Sequence, residues 1–376
     1  LIEGAKIWDE ARRLDPTFTC ANLFWWYNMN TSADMGVTPR PTYPADGSKL
    51  FGVYSYPHRL RQELEAELGE FPFHTFWGPG AGIAASRWIA RAAMHVLARH
   101  RPTLTLAYLP HLDYDFQRYG ASDPRAEAEI AKIDAVAGEL IERAREAGAA
   151  VVVVSEYGIT DVRRPVHLNR VLRDAGLLTA LETPLGWELL DFGESRAFAV
   201  ADHQVAHVYV KRPEDRGRVA ELLGAVPGVE RVLDRGAQAE FQLDHPRAGD
   251  LVAVAEKDAW FTYYYWLDDS RAPDFARTVD IHRKPGYDPA ELFLDPKRPL
   301  VKLRAAYALA RKLLGFRYLM DVVSLDAGIV GGSHGRLPDR PEDGPVVISS
   351  EKIGAEGGLH SSDVFRLVLG LLRRPS

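Results

Sequence analysis

The sequence predicts an α/β fold with a mostly parallel central sheet and helices on both faces. Two apolar runs, residues 103–109 (TLTLAYL) and residues 149–155 (AAVVVVS), have the β-branched composition of buried strands. Between them, residues 124–144 carry apolar side chains at helical spacing, with Pro124 in the first turn and Gly148 after the last. Strand, helix and strand in this order predict a βαβ unit, in which the two strands are parallel.

The same alternation continues along the chain. Aromatic, proline-rich and basic stretches interrupt it over residues 263–317. We therefore expect a single domain over residues 1–376 with an inserted cap or subdomain at residues 262–326. Strands are also predicted at residues 18–24, 206–210 and 251–255, and helices at residues 56–68, 85–98, 214–223 and 361–372.

Composition describes an ordinary soluble globular chain. Of its 376 residues 46% are apolar and 26% are charged, and the net charge of −6 does not suggest a nucleic-acid polymer as partner. No apolar run reaches the roughly 18 residues that a membrane span needs, and no signal segment opens the chain. The single cysteine, Cys20, excludes an intramolecular disulfide and predicts a buried free thiol. We expect a cytoplasmic protein, and the sequence leaves the oligomeric state open.

Acidic and imidazole side chains follow both strands of the predicted βαβ unit. His111, Asp113 and Asp115 come after the first strand, and Glu156 and Tyr157 come after the second. Because ligands of open α/β sheets bind outside the carboxyl ends of the strands, these side chains are expected to line one crevice.

A third polar signal is His334 in the sequence GGSHGR, where glycines permit a close approach of the backbone. Each residue also has a structural explanation: His111 as a hydrogen-bonded structural histidine, Asp113 or Asp115 as a cap of the next turn, Glu156 as a solvated acid. Their shared position after predicted strands instead favours a metal site, since carboxylates and imidazoles from separate loops are typical metal ligands.

The order of these motifs resembles the alkaline phosphatase superfamily, in particular its type I phosphodiesterase and nucleotide pyrophosphatase branch. One metal site of that family uses the Asp and His of a Pro-Asp-x-x-Gly-His motif and a late Gly-x-His-Gly histidine. When Pro110 is aligned with the family proline, His111 stands where Asp is usual and Asp115 where His is usual. His334 of GSHG matches the late histidine.

The exchange of the two ligand types is compatible with a metal site. Zn²⁺ binds imidazole nitrogen and carboxylate oxygen at similar distances, about 2.0 to 2.2 Å, so the donor set and its charge are kept. The resemblance therefore implies His111, Asp115 and His334 as metal ligands, with Asp113 orienting His111 from the second coordination shell.

The second metal site of the family uses a Ser-Asp-His-Gly motif, where this sequence has SEYG at residues 155–158. Glu156 can replace the aspartate, but Tyr157 is a phenol with an unperturbed pKa of about 10 and is a poor substitute for histidine. Whether Tyr157 is a ligand or a substrate contact stays open.

Residues 279–289 (VDIHRKPGYDP) are the best candidate to complete the second site. Asp280 and His282 lie two residues apart and would share a face if they stood on a strand. Arg283 and Lys284 would suit the negative charge of a phosphate. The alternative is an ordinary charged loop.

Two further stretches carry weaker signals. The sequence TFTCANLFWWYN contains Trp25, Trp26, Tyr27 and Asn28, which would contact a substrate if the aromatic residues do not belong to the core. His203 and the histidine four residues later in ADHQVAH lead into an apolar strand, which favours a structural role.

The resemblance implies a metal-dependent hydrolase of phosphodiesters or nucleotide pyrophosphates that acts on a small-molecule phosphoester through a covalent phospho-enzyme. It implies two divalent ions, Zn²⁺ foremost, with Mn²⁺ or iron as alternatives. The family's early aspartate and its Thr or Ser nucleophile have no match in this chain. We therefore expect them in a segment upstream of Leu1 and expect residues 1–376 alone to be inactive. The alternatives are a non-catalytic binding protein whose second metal site has decayed, and a phosphomutase of the superfamily.

Overall fold

The computed structural model describes residues 2–45, 48–353 and 358–372. The chain divides into two compact units. Unit 1 comprises Leu1–Tyr114, Glu127–Glu156 and Pro345–Ser376, and unit 2 comprises Asp115–Ala126 and Tyr157–Gly344. The first division falls within helix α4 (His111–Tyr119).

Unit 1 contains a four-stranded sheet in the order β3-β2-β1-β4. Strand β1 is parallel to both of its neighbours, and β3 is antiparallel to β2 at the edge. All four residues of β1 are buried, as expected for a central strand covered on both faces. The strands are β1 (Cys20–Leu23), β2 (Met35–Pro39), β3 (Val53–Tyr56) and β4 (Leu104–Ala107).

Helices of unit 1 pack against this sheet through aliphatic side chains. Leu60 and Leu64, four residues apart on one helix, and Ile89 and Val96 on the next are at most 1% exposed and belong to one core cluster. The helices are α1 (Ile7–Leu14), α2 (His58–Leu68), α3 (Ile83–Arg99), most of α5 (Pro124–Glu146) and α10 (Asp363–Leu372); β5 (Val152–Val154) pairs with β16 (Val347–Ser349).

Unit 2 is built on an antiparallel sheet in the order β10-β11-β13-β12. Burial alternates along β10 (Ala197–Asp202) and β11 (Val205–Val210), so one face of this sheet covers the core. Residues 263–266 (YYYW) are at most 1% exposed in the same core. The other two strands of the sheet are β12 (Val229–Leu233) and β13 (Leu251–Ala255).

Short strand pairs and helices complete unit 2. β6 (Thr160–Asp161) pairs with β15 (Gly332–Ser333), β7 (Arg164–Val166) with β14 (Ala259–Phe261), and β8 (Thr179–Glu182) with β9 (Glu188–Asp191). The helices are α6 (Leu168–Asp174), α7 (Arg216–Gly224), α8 (Arg235–Glu240) and α9 (Val301–Leu313).

The α/β class with a central sheet and helices is confirmed, and strand β13 and helix α5 lie where the sequence predicts them. The pairing of the predicted βαβ unit is different: β4 is parallel to β1, whereas β5 is antiparallel to β16. The sequence of a three-residue strand such as β5 indicates β-structure but does not identify the pairing strand, which here lies about 200 residues away along the chain. The cap at residues 262–326 stays a prediction, although its first residues belong to the core of unit 2.

Cys20 is a buried free thiol, as predicted, and burial together with the nearby Asp34 raises its pKa to about 12. Within the described ranges, no helix has the length and apolar composition needed to cross a membrane.

Candidate active site

The polar residues after β4 lie on a helix and not on an irregular loop. Helix α4 begins at His111, so the sequence-predicted ligands occupy its first turns, and the acidic Asp113 suits the positive end of the helix dipole. His111 and Asp115 are four residues apart and share a face of this helix, whereas Asp113 faces elsewhere. Helical spacing therefore sets the directions of these side chains.

In unit 1, His111 pairs with a glutamate that the sequence reasoning missed. The His111 side chain is 2% exposed, and its Nε2 lies 3.0 Å from Oε2 of Glu129 on α5. Glu129 also accepts a hydrogen bond of 2.6 Å from Lys132 Nζ. Burial acts to raise the pKa of Glu129, but the hydrogen bonds from Lys132 and His111 outweigh it and hold the pKa below its usual value. Glu129 is therefore a carboxylate that orients the imidazole.

Asp115 belongs to unit 2 and is 5% exposed. Its Oδ1 accepts a hydrogen bond of 2.7 Å from Arg118 Nη1, one helical turn later. The guanidinium supplies the counter-charge that a buried carboxylate requires.

Side chains that follow β4 and β5 meet around Tyr108 in unit 1. Burial raises the pKa of the Tyr108 phenol, and the negative charges of Asp113 and Glu156 raise it further. Both carboxylates therefore lie close enough to act on one hydroxyl group. The ring of Trp26 is 6.1 Å from the ring of Tyr108. The crevice itself stays a prediction.

In unit 2, His334 is stacked on Tyr157 and lies beside a second histidine. The Tyr157 and His334 rings are parallel to within 6° at 3.6 Å, and the His203 ring is 3.9 Å from His334. Burial lowers the pKa of His334 to about 4, and burial with the nearby His334 lowers that of His203. Both imidazoles are therefore neutral at pH 7, the form that binds metal ions. The sequence favoured a structural role for His203 because this residue leads into an apolar strand, and it could not show the contact with His334, which lies 131 positions later.

The glycines around His334 serve the predicted close approach. A Cβ atom on Gly332 would lie 2.2 Å from the carbonyl oxygen of Phe116, and Gly335 has a φ of +113°. The His334 carbonyl oxygen accepts a hydrogen bond of 2.8 Å from Gln204 N. This bond holds the hairpin turn that carries His203 against the glycine loop.

The segment after residue 279 does not form a strand. Residues 281–283 form a turn, so the shared strand face considered for Asp280 and His282 is absent. Arg283 is 62% exposed, with Nε 3.5 Å from Asp280 Oδ2. Lys284 is fully buried, and its Nζ lies 2.7 Å from both Asp288 Oδ2 and Glu291 Oε1. The charge of Lys284 is neutralised within a buried ion-pair cluster, so Lys284 does not make the predicted phosphate contact.

Asn28 also has structural contacts. It is 2% exposed, and Nδ2 donates to the carbonyl oxygens of Asn22 at 3.1 Å and Val37 at 2.9 Å. The neighbouring aromatic residues are exposed: Trp26 by 53% and Tyr27 by 72%. Here the amide holds the loop after β1, and the aromatic rings are the groups accessible to a ligand.

The donors of these clusters fit a divalent metal ion. Imidazole nitrogens and carboxylate oxygens are the ligands that Zn²⁺ and neighbouring transition metals prefer. In unit 1, Nε2 of His111 is hydrogen-bonded to Glu129, so Nδ1 of His111 would be the atom that binds a metal ion. In unit 2, His203 and His334 are neutral imidazoles.

Structural comparison finds neighbours of low similarity. Phosphonoacetate hydrolase from Sinorhizobium meliloti 1021, in complex with phosphonoformate, is 16% identical, with a TM-score of 0.47 over 77% of this chain. The chain spans 57% of the length of that protein. Murine and human ectonucleotide pyrophosphatase/phosphodiesterase 5 are 20% and 18% identical, each with a TM-score of 0.35 over 46% of this chain and 43% of the neighbour.

A match to a family model provides the assignment. No curated protein matches the chain significantly. The model for type I phosphodiesterase / nucleotide pyrophosphatase matches residues 1–288 of the 376-residue chain. This match confirms the resemblance identified from the motifs around His111 and Glu156. The chain belongs to the type I phosphodiesterase / nucleotide pyrophosphatase family.

Proposed function

We propose that the protein is a metal-dependent hydrolase of phosphodiesters or nucleotide pyrophosphates. The observation that carries the proposal is the buried His111–Glu129 pair directly after β4, within the segment that matches the family model. A buried imidazole oriented by a carboxylate is typical of metal centres.

The proposed ligands of divalent ions, Zn²⁺ foremost, are His111, Asp115, His334 and Glu156. Asp280 and His282 are further candidates, and the turn at residues 281–283 would have to bring them to an ion without strand geometry. When bound, the ions supply Lewis-acid stabilisation of the phosphoryl oxygens and lower the pKa of a bound water.

The chain's own residues would hold these ligands in place. Glu129 fixes the orientation of His111 through the 3.0 Å contact at Nε2, which directs Nδ1 toward the ion. Tyr157 restricts the ring of His334 by stacking at 3.6 Å. Asp113 adds negative charge near Tyr108 and Glu156, which favours a cation there.

The substrate would lie against exposed aromatic residues and cationic groups. Trp26 and Tyr27 present accessible rings for stacking a base or another flat group. Arg283 is the exposed cation of the basic pair, and we assign it the phosphate contact in preference to the buried Lys284. The family resemblance adds a covalent phospho-enzyme formed on a Thr or Ser hydroxyl group; no residue of this chain is assigned that role.

The second candidate function is a non-catalytic binding protein on the same fold. The stack of Tyr157 on His334 favours it, because a phenol held against an imidazole stands where the family has a metal-binding histidine.

The test combines metal analysis with a substrate comparison. The full-length protein is purified, stripped with a chelator, reloaded with Zn²⁺ or Mn²⁺, and assayed with bis-p-nitrophenyl phosphate and p-nitrophenyl phosphate. We expect metal-dependent hydrolysis that prefers the diester, a fall of about a hundredfold in His111→Gln, and normal activity in His74→Gln, a control at an exposed histidine. Metal binding without turnover of either ester would support the binding protein, and isomerisation of a phosphoester without hydrolysis would indicate a phosphomutase.

A further inference from the structure

Two histidines and a glutamate of unit 1 form a cluster apart from the residues discussed above. Glu63 lies on α2, His95 lies on α3, and His100 directly follows α3. One potential ligand atom of each residue lies within 4.8 Å of the other two.

Both imidazoles face the same carboxylate oxygen. Oε2 of Glu63 lies 2.9 Å from Nε2 of His100 and 3.9 Å from Nε2 of His95. The other oxygen, Oε1, faces Arg59 at 3.9 Å. The carboxylate therefore directs one oxygen at the two ring nitrogens.

The buried histidine has an unsatisfied nitrogen that points at this oxygen. The His95 side chain is 7% exposed, and its Nδ1 lies 2.7 Å from Oε2 of Glu67. In the neutral tautomer whose Nδ1–H donates to that carboxylate, Nε2 carries the lone pair. Nε2 of His95 has no hydrogen-bond partner in the described part of the chain. A buried lone pair that faces a carboxylate oxygen is unfavourable unless a cation lies between them.

The arrangement has the features of a transition-metal site. Two imidazole nitrogens and one carboxylate oxygen suit Zn²⁺ and also Co²⁺, Ni²⁺ and Cu²⁺. The second carboxylate, Glu67, orients His95 in the way that outer-shell acids orient metal-binding histidines. Glu63 and His100 are 35% and 21% exposed, so an ion and a fourth, water ligand have access from solvent.

We propose that Glu63, His95 and His100 bind one divalent transition-metal ion, with Zn²⁺ as the preferred ion, and that this ion links α2 to α3. The ion replaces the hydrogen bond between His100 Nε2 and Glu63; the Nε2 proton moves to Nδ1 by exchange with solvent, so the ring stays neutral. The site would stabilise unit 1, and the proposal does not depend on the hydrolase function.

The experiment measures zinc binding and thermal stability. Chelator-stripped protein is titrated with ZnCl₂, and bound zinc and the melting temperature are recorded for the parent, Glu63→Gln, His100→Asn and His58→Asn. His58 is an exposed histidine on the same helix and serves as the control. We expect about one zinc ion per chain fewer in Glu63→Gln and His100→Asn than in the parent and control. Zinc at a hundredfold excess over Kd should raise the melting temperature of the parent and control by several degrees more than that of these variants.

Two further variants separate metal binding from folding defects. Glu67→Gln should weaken zinc binding about 10- to 100-fold while keeping a hydrogen-bonding group beside His95. Arg59→Ala leaves every ligand in place, removes a competing cation from Glu63 and should tighten zinc binding. Equal zinc content in the parent, Glu63→Gln and His100→Asn would overturn the proposal, as would unchanged zinc affinity in both Glu67→Gln and Arg59→Ala.

Discussion

Replacing Lys284 with methionine tests the assignment of this residue to a structural cluster. Its ammonium group lies 2.7 Å from Asp288 Oδ2 and 2.7 Å from Glu291 Oε1, and the three side chains are at most 2% exposed. Burial acts to lower the pKa of Lys284, but the charges and hydrogen bonds of Asp288 and Glu291 outweigh it and raise the pKa. Lys284→Met keeps most of the side-chain volume and leaves two carboxylates without their counter-charge.

The expected loss is large because both carboxylates are buried. Removing one member of a buried ion pair costs about 3–5 kcal/mol, since the remaining charge is uncompensated. For a unit of about 150–250 residues this loss corresponds to a fall in melting temperature of about 6–20 °C. Because the native pKa is raised, the contribution of Lys284 is fully present at pH 7 and is lost only as the pH rises above the unfolded value of 10.5 and through the native pKa.

Urea and thermal unfolding at pH 7 measure the effect, with Lys297→Met as the matched control. Lys297 Nζ also lies 2.7 Å from a carboxylate, that of Asp326, but its side chain is 74% exposed. A solvent-exposed pair of this kind contributes about 0–1 kcal/mol. If Lys284→Met lost less than about 1 kcal/mol and instead raised the KM for a phosphodiester, the structural assignment would be wrong and the phosphate-contact prediction would stand.

Three further predictions concern other residues of the two units. In the full-length protein, Glu156→Gln should remove about one bound divalent ion per chain and reduce diester hydrolysis about tenfold or more; unchanged metal content and rate would contradict its role as a ligand. Tyr157→Leu should lower the melting temperature, because it removes the 3.6 Å stack on His334. Tyr157→Phe keeps the ring and should leave the melting temperature unchanged. If Tyr157→Phe lowered kcat without lowering the melting temperature, the hydroxyl group would have a role in the reaction. Burial lowers the pKa of His167 from 6.5 to about 4, so its contribution, at most about 3 kcal/mol, is present above pH 6.5 and lost as the pH falls through about 4. His167→Gln should reduce the difference in the free energy of unfolding between pH 7 and pH 4, measured by urea unfolding at both pH values. An unchanged difference would show that His167 is not the source of this pH dependence.

Local patterns in the sequence determined many of the elements. Helix α5 is marked by its apolar spacing, Pro124 and Gly148, and strand β13 by a run of five apolar residues, LVAVA. Both depend on interactions within a few residues, which composition and spacing record directly. The glycines of GGSHGR likewise predicted a close approach of the backbone, and in the structure this approach lies between Gly332 and Phe116.

The sequence supplied candidate residues for the site and part of their geometry, and their roles as ligands stay predictions. The sequence identifies His111 and His334 and the acids that follow the two strands. It does not show that residues 111–119 form a helix, because His-Leu-Asp-Tyr-Asp carries no apolar repeat strong enough to separate a helix from a polar loop. Asp113 and Glu156 act on Tyr108 as expected for strand ends that meet, although β5 pairs with a different strand.

Contacts between distant residues were decided by the tertiary structure alone. Glu129 becomes the partner of His111, and His203 becomes the neighbour of His334, through contacts that join segments 18 and 131 positions apart. The sequence predicts Lys284 as a phosphate contact, but its side chain is buried, because the turn after Asp280 brings Asp288 and Glu291 to its ammonium group. A sequence determines which donors, acceptors and charges a chain possesses. Their burial and partners, and with them their pKa values and roles, follow only from the folded arrangement, because desolvation and hydrogen bonding depend on distances in space.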